Sequence, residues 1–453
     1  MLADLDQARS TEGVQPALAM LSRFAANDSV VEYQELKFSL HRKLLDRINL
    51  EALSALPTER MRGEIRTAVA RLVEEERTPL SLVEKDRFIG EILDEVFGLG
   101  PLEPLLQDNT ISDILVTGPK LVYIERGGKL IRTSVEFKDN AHLLRIIEKV
   151  VSRVGRRVDE SSPMVDARLP DGSRVNAAIP PVAIDGPLLS IRRFGRKALT
   201  GEDLVANRAL TPWMLTFLKG AVKARLNIVI SGGTGSGKTT LLNALSGYIP
   251  DDERIVTIED AAELRLQQTH VARLETRPAN MEGNGAVHIR HLVVNALRMR
   301  PDRIIVGEVR ADEALDMLQA MNTGHDGSLT TVHANTPVDA VGRLEVMVGM
   351  ASSSMGIRSI RQQITSAVDL FVQVSRFSDG TRRVTQITEV DGMEGEMVIL
   401  QDVFVLEKTG IDGAGRVTGF FKPSGVRPRC ADRMKACGVE TPREMFEKVV
   451  PLG

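Results

Sequence analysis

Apolar residues recur at helical spacing near the start of the chain. Leu36, Leu40, Leu44 and Ile48 fall every four residues, one face of an amphipathic helix. Residues 1–80 therefore predict an N-terminal helical region, polar and Ala-rich before Glu32. It serves either as a small bundle or as a partner-docking surface. Phe88, Ile89, Ile92, Leu93, Val96 and Phe97 form a second stripe, closed by Gly98-Leu99-Gly100-Pro101. The period then shortens. Ile111–Thr117, Leu121–Glu125 and Lys129–Phe137, the last after Gly127-Gly128, predict strands. Leu143, Ile146, Ile147, Val150 and Val154 predict a helix. Asp166–Leu169 and Ser173–Ile179 flank Pro170-Asp171-Gly172 as a hairpin, and Leu188–Phe194 closes the block. Residues 81–196 thus predict a small α+β domain, and residues 197–212, polar with Gly201, Thr211 and Pro212, a linker.

From Trp213 onward short apolar strands alternate with helices. Leu226–Ile230, Arg254–Glu259, Arg303–Val306 and Ser328–His333 predict a mostly parallel sheet with right-handed crossovers, buried on both faces. Ligands on such sheets sit beyond the carboxyl ends of the strands. Gly232, Glu259-Asp260, Gly307-Glu308 and His333 all fall there. This α/β domain spans residues 213–425. Within it Thr381–Phe421 predicts β structure, with turns at Asp391-Gly392 and Asp412–Gly415. Residues 426–453 predict a short helical tail.

Composition narrows the class. The 453 residues carry 58 basic and 61 acidic side chains, a net charge of −3. No global basic excess points to nucleic acid or an anionic membrane surface. Local basic clusters at Arg153–Arg157 and Arg192–Lys197 read first as solvated surface. Two cysteines, Cys430 and Cys437, form neither a metal site nor a disulfide framework, so the expected compartment is a reducing cytoplasm. No signal peptide or spanning helix is legible.

The residues Gly232, Gly233, Thr234, Gly235, Ser236, Gly237, Lys238, Thr239 and Thr240 contain G-x-x-x-x-G-K-[ST] between a strand and a helix. Backbone N–H groups and the helix start make a concave anion site there. Lys238 would reach the β- and γ-phosphates of ATP, and the Thr239 hydroxyl would hold Mg²⁺. Hydrolysis also needs a group to orient water and positive charge for the transition state. Glu308 is the candidate carboxylate, for water or for metal-bound water; otherwise it is a charge at the start of the helix Ala311–Asn322. Many phosphate-loop enzymes place an Asp where this chain has Gly307-Glu308. Glu259 is a second candidate, while Asp260 suits a cap. His333 and His325 bracket the strand Ser328–Thr331 as γ-phosphate sensors. Arg174, Arg192 and Arg193 could lean over the nucleotide of their own or a neighbouring subunit.

Four boxes in order, GGTGSGKTT, IVTIEDAAEL, LRMRPDRIIVGEVRADEA and NTGHDGSLTTVHANTP, resemble the Walker A, Asp, Walker B and His boxes of the type II/IV secretion and pilus-assembly ATPases. Their spelling is nearest the CpaF-type ATPases of Flp/Tad (tight-adherence) pili. DARLPDGSRVNAAIPP and GVRPRCADRMKACGVE are similar to that subfamily as well. The resemblance covers roughly residues 81–445. It implies a RecA-like P-loop ATPase domain preceded by the smaller α+β domain, and a hexameric ring using ATP and Mg²⁺. It implies work delivered to an inner-membrane platform protein, from a cytoplasmic position at the inner membrane. It also implies that Lys238 and Thr239 carry phosphate and metal, that Glu308 is the catalytic carboxylate assisted by Glu259, that His333 is the sensor, and that Arg174, Arg192 and Arg193 contact nucleotide. Two cysteines are too few for the four-cysteine zinc module of the type II branch. The competing readings are a conjugation-type DNA motor, disfavoured by the charge balance and the lack of a basic, aromatic-rich stripe, and a non-hydrolysing nucleotide switch.

Overall fold

The computed structural model describes Lys43 and residues 58–75, 81–193, 199–277, 279 and 284–452. The apolar series from Leu36 to Ile48 lies outside the described residues, as do Arg196 and Lys197. The chain divides into two compact units: one ends at residue 193 and leaves out Arg126–Lys129, and the other takes Arg126–Lys129 together with the chain from residue 194.

In the first unit the helices Thr58–Glu75 and Leu82–Phe97 pack through Ile65, Val69, Leu72 and Val73 against Phe88, Ile89 and Ile92. These are the i, i+3, i+4 positions the sequence supplies. Ser81 and Glu84 cap the second helix reciprocally. A six-stranded sheet follows, from β1 (Ile111–Thr117), β2 (Leu121–Arg126), β3 (Lys129–Arg132), β4 (Met164–Arg168), β5 (Arg174–Ala178) and β6 (Leu188–Arg192). Its order is β3-β2-β1-β6-β5-β4. The helix Asn140–Ser152 lays Leu143, Ile146, Ile147 and Val150 into the same core as Ile114, Val175 and Ile191. β3 is shorter than the expected strand to Phe137. All four of its residues are exposed, so no burial extends it.

The second unit is built on a ten-stranded sheet. β7 (Ile228–Gly232), β8 (Ile255–Glu259), β9 (Val271–Glu275), β10 (Arg303–Val309), β11 (Leu329–Val332) and β12 (Leu370–Arg376) are parallel neighbours. β13 (Arg382–Glu394), β14 (Met397–Ile411), β15 (Val417–Pro423) and β16 (Val450–Pro451) continue it as an antiparallel meander. The order is β16-β15-β14-β13-β12-β7-β11-β10-β8-β9. One strand, β11, thus separates the phosphate-loop strand from the strand carrying Glu308, the RecA-like arrangement.

The period of two decides both faces. Ile228, Ile230, Ile305 and Val372 point to a core shared with Phe217 and Leu245. Val229, Ile304, Val306 and Phe371 point to the opposite one, shared with Met317, Leu344 and Ile364. Two expectations change here. Residues 199–212 are not an open linker. Thr200 and Asp203 cap the helix Gly201–Ala206, and Leu204 and Leu210 enter the Phe217 core. The tail is also more than a helix. After Cys430–Ala436, residues Met445, Phe446 and Leu452 fill that same core, and β16 pairs with β15. Among the described residues no helix is long and apolar enough to cross a membrane.

Candidate functional site

β7 is buried along its whole length and delivers the chain to the glycine-rich loop. A Cβ on Gly232 would lie 2.4 Å from the Val374 carbonyl oxygen and 2.5 Å from Ser236 Oγ, so only glycine lets the loop fold this tightly. Gly237, at φ +99°, caps the helix Lys238–Ser246 in a left-handed conformation. Lys238 Nζ donates to the carbonyls of Gly232 and Gly233, each at 3.0 Å, and lies 3.4 Å from His333 Nε2. Burial lowers its pKa first; Glu308 opposes that shift and Arg310 adds to it. Thr239 and Thr240 stand half-buried in the first helical turn, and Ser236 Oγ is buried with no hydrogen-bond partner.

Glu308 lies inside β10, not at a helix start; the next helix begins at Glu313. The β10–β11 register slips between Val306 and Val309. Two residues of β10, Gly307 and Glu308, face one of β11, Thr331, a β-bulge that re-aims the side chains at Gly307-Glu308. Thr331 Oγ1 donates to the Gly307 carbonyl at 2.8 Å and fixes the bulge. Glu308 Oε2 accepts from Arg310 at 2.8 Å, and Arg310 also reaches Asp260 Oδ2 at 3.2 Å. Glu308 Oε1 lies 2.8 Å from His333 Nε2. The approach has ionic distance without hydrogen-bond geometry, so Oε1 is a buried acceptor with no donor. Burial lowers the pKa of His333 first and Lys238 adds to it, against Glu308, which favours the neutral imidazole.

Glu259 ends β8, and its packing explains the Gly307-Glu308 spelling. A Cβ on residue 307 would come within 3.0 Å of Glu259 Cγ. Glu259 Oε1 accepts from the backbone N–H groups of Glu263 and Leu264 at 2.8 and 2.9 Å, while Oε2 is buried without a partner. Burial pushes this carboxyl up to about 7, against those two hydrogen bonds and Arg273. The folded chain therefore holds a proton that the unfolded chain releases near 4.5. That stabilisation is complete below the unfolded value and is lost as pH rises through about 7, a difference of roughly 3 kcal/mol. Glu259→Gln fixes the neutral form. Its Tm is expected to climb relative to the parent from about pH 4.5 to about pH 7 and to level off above that. A gap that stays constant across that range in thermal melts would contradict the burial argument.

The carboxyl edge fits a magnesium–polyphosphate. It offers an amide-rich loop, a buried ammonium, the Thr239 hydroxyl, and carboxylate oxygens on Glu308 and Glu259 that lack donors. Among the described residues no group of three or more His, Cys, Asp or Glu could hold a metal ion, so the cation would arrive with phosphate oxygens as ligands.

One candidate of the second unit is placed elsewhere. β11 is four residues long, so its ends lie about 13 Å apart. His333 follows its carboxyl end. His325 precedes its amino end, where Asn227, Gly327 and Ser328 meet. The His325 carbonyl caps Ser328 Oγ at 2.8 Å, and the ring is not at the phosphate edge. In the first unit Arg193 turns to the carbonyls of Leu105 and Asp108, fastening the end of β6. Arg174 and Arg192, in contrast, are register partners, and Arg168 pairs with Arg174 on its other side. Directly opposed residues share a face, so Arg168, Arg174 and Arg192 form one basic row, with Arg192 bridged to Asp113 at 3.2 Å. Arg168 was not singled out by sequence; its position two residues before the Pro170-Asp171-Gly172 turn was the available signal. Arg310, two residues beyond Glu308, was missed too.

A family model described as type II/IV secretion system protein matches residues 95–410. A Mycobacterium tuberculosis protein whose description names conjugal transfer is 40% identical over 309 residues, covering 67% of this chain and 87% of that one. The type IV secretion system protein PtlH of Bordetella pertussis is 36% identical over 326 residues, covering 66% and 95%. The conjugal transfer protein TrbB of Rhizobium radiobacter is 36% identical over 292 residues, covering 63% and 86%. Among solved structures, the VirB11 ATPase of the Brucella suis type IV secretion system matches with a TM-score of 0.36 at 31% identity, covering 65% of this chain and 97% of that one.

Proposed function

The chain belongs to the type II/IV secretion system protein family, and on that premise we propose that it hydrolyses ATP with Mg²⁺ to drive assembly of a Flp/Tad-type pilus. The convergence of Lys238, Glu308 and His333 within 3.4 Å contacts at the carboxyl edge carries the hydrolytic part. Lys238 holds the β- and γ-phosphates and Thr239 the cation. Glu308 orients the attacking water, with Glu259 assisting. His333, neutral and beside Lys238, reads the γ-phosphate. The row Arg168, Arg174 and Arg192 gathers three guanidinium groups on one face of neighbouring strands; we assign it the triphosphate of a neighbouring subunit in a hexameric ring. The phrases DARLPDGSRVNAAIPP and GVRPRCADRMKACGVE favour the Flp/Tad machine, in which the ring works on an inner-membrane platform protein from the cytoplasmic side.

A conjugation-type motor is the second reading, favoured by the conjugal transfer descriptions of two relatives. Steady-state ATPase assays on the full chain separate the two. The pilus reading expects Mg²⁺-dependent hydrolysis indifferent to single- or double-stranded DNA at moderate salt. Stimulation of several fold by DNA, weakening steeply with added salt, would replace it with the conjugation reading. No uptake of Mg·ATP by calorimetry would remove both.

A further inference from the structure

Glu308 has two carboxylate oxygens in different surroundings. Oε2 is bound by Arg310, whose guanidinium spans to Asp260 on the adjoining strand region. Oε1 has no donor and points to His333 and, through it, to Lys238. The bulge at Gly307-Glu308 leaves the Glu308 backbone without a regular ladder neighbour on β11, so backbone pairing alone does not fix where the carboxylate lies. Arg310 supplies that constraint from two residues away, on the same side of an extended chain. Asp260 is itself anchored, its Oδ1 accepting from Thr276 Oγ1 at 3.3 Å, so the guanidinium is gripped from the far side.

Building on the hydrolytic reading above, we propose that Arg310 is a positioning residue. Clamped between Asp260 and Glu308, it occupies Oε2 so that Oε1 alone faces the phosphate edge and orients water. Arg310 does not touch the nucleotide in this role. Its side chain is half exposed, so replacing it leaves the core intact.

The test is steady-state hydrolysis and fluorescent-ADP binding on the full-length protein and its Arg310→Ala, Arg310→Lys and Asp260→Asn variants. Arg310→Ala is expected to lower kcat about 10²-fold, the scale of a misplaced reacting group, with KM for ATP and ADP affinity within about threefold of the parent. Arg310→Lys keeps a cation beside Oε2 but cannot fork to both carboxylates, so it recovers part of kcat. Asp260→Asn lowers kcat less, and adding it to Arg310→Ala costs nothing further, because the two act as one unit. An unchanged kcat in Arg310→Ala would overturn the proposal, as would a loss confined to KM and ADP affinity, or full additivity with Asp260→Asn. An inactive parent protein would instead overturn the hydrolytic reading itself, so the two failures are distinct.

Discussion

Glu308→Gln is expected to lower kcat for ATP by about 10²–10⁴-fold, the range of a lost general base, while KM stays within a few fold of the parent. The amide keeps the size of the side chain, and its oxygen still accepts from Arg310. It loses the negative charge that lets Oε1 polarise water. Oε1 is the oxygen concerned because it is buried, has no donor, and lies 2.8 Å from His333 Nε2. The Lys238 ammonium is held by the carbonyls of Gly232 and Gly233, with no hydrogen bond to Glu308, so the amide substitution leaves the main phosphate contact in place. Binding and chemistry should therefore separate. Steady-state kinetics with parallel nucleotide titration measures both. A kcat within twofold of the parent would take Glu308 out of the reaction and turn attention to Glu259.

The carboxyl-edge cluster was legible in the sequence because each of its members ends, or nearly ends, an apolar strand. A buried parallel strand is written as an unbroken apolar run, and its first polar residue marks the sheet edge. That rule found Gly232, Glu259 and His333. It placed Glu308 past its strand, since a bulge adds a residue that no periodicity announces. It failed for His325, which also borders an apolar run, but at the amino end: the pattern marks both edges alike, and only chain direction tells them apart. Arg310 escaped because cations beside strand ends usually read as solvated surface. The basic row on the first unit was half legible. Arg174 and Arg192 stand out in their strands, yet the alignment that adds Arg168 and sends Arg193 to the carbonyls of Leu105 and Asp108 is a matter of register. The linker and the tail were misread for a common reason. Both are short and polar on average, and their few apolar residues, Leu204, Leu210, Met445, Phe446 and Leu452, find a core only in three dimensions.

Lys238→Ala should be the most damaging change for nucleotide binding. The ammonium is the one group in the loop positioned to carry a full positive charge to the phosphates, and hydrogen bonds to charged groups contribute about 1.5–3 kcal/mol each. Losing two of them weakens Mg·ATP binding on the order of 10²-fold or more and removes measurable hydrolysis at ordinary ATP concentrations. A second readout isolates the electrostatic part. Lys238 is among the causes that lower the pKa of His333, after burial. With the ammonium gone, burial, Arg310 and Arg343 still oppose protonation, but the pull of Glu308 at 2.8 Å loses its strongest charged opponent. The His333 pKa is therefore expected to rise in Lys238→Ala, as followed by NMR titration of the ring carbon-bound protons, with His333→Gln identifying the signal. Lys238→Arg keeps a cation near His333 while changing its shape, so it should hold the pKa down yet still impair binding. Full-strength ATP binding by Lys238→Ala would show that the loop amides suffice without the lysine. An unmoved His333 titration would separate the histidine from the phosphate loop, and with it the sensor role.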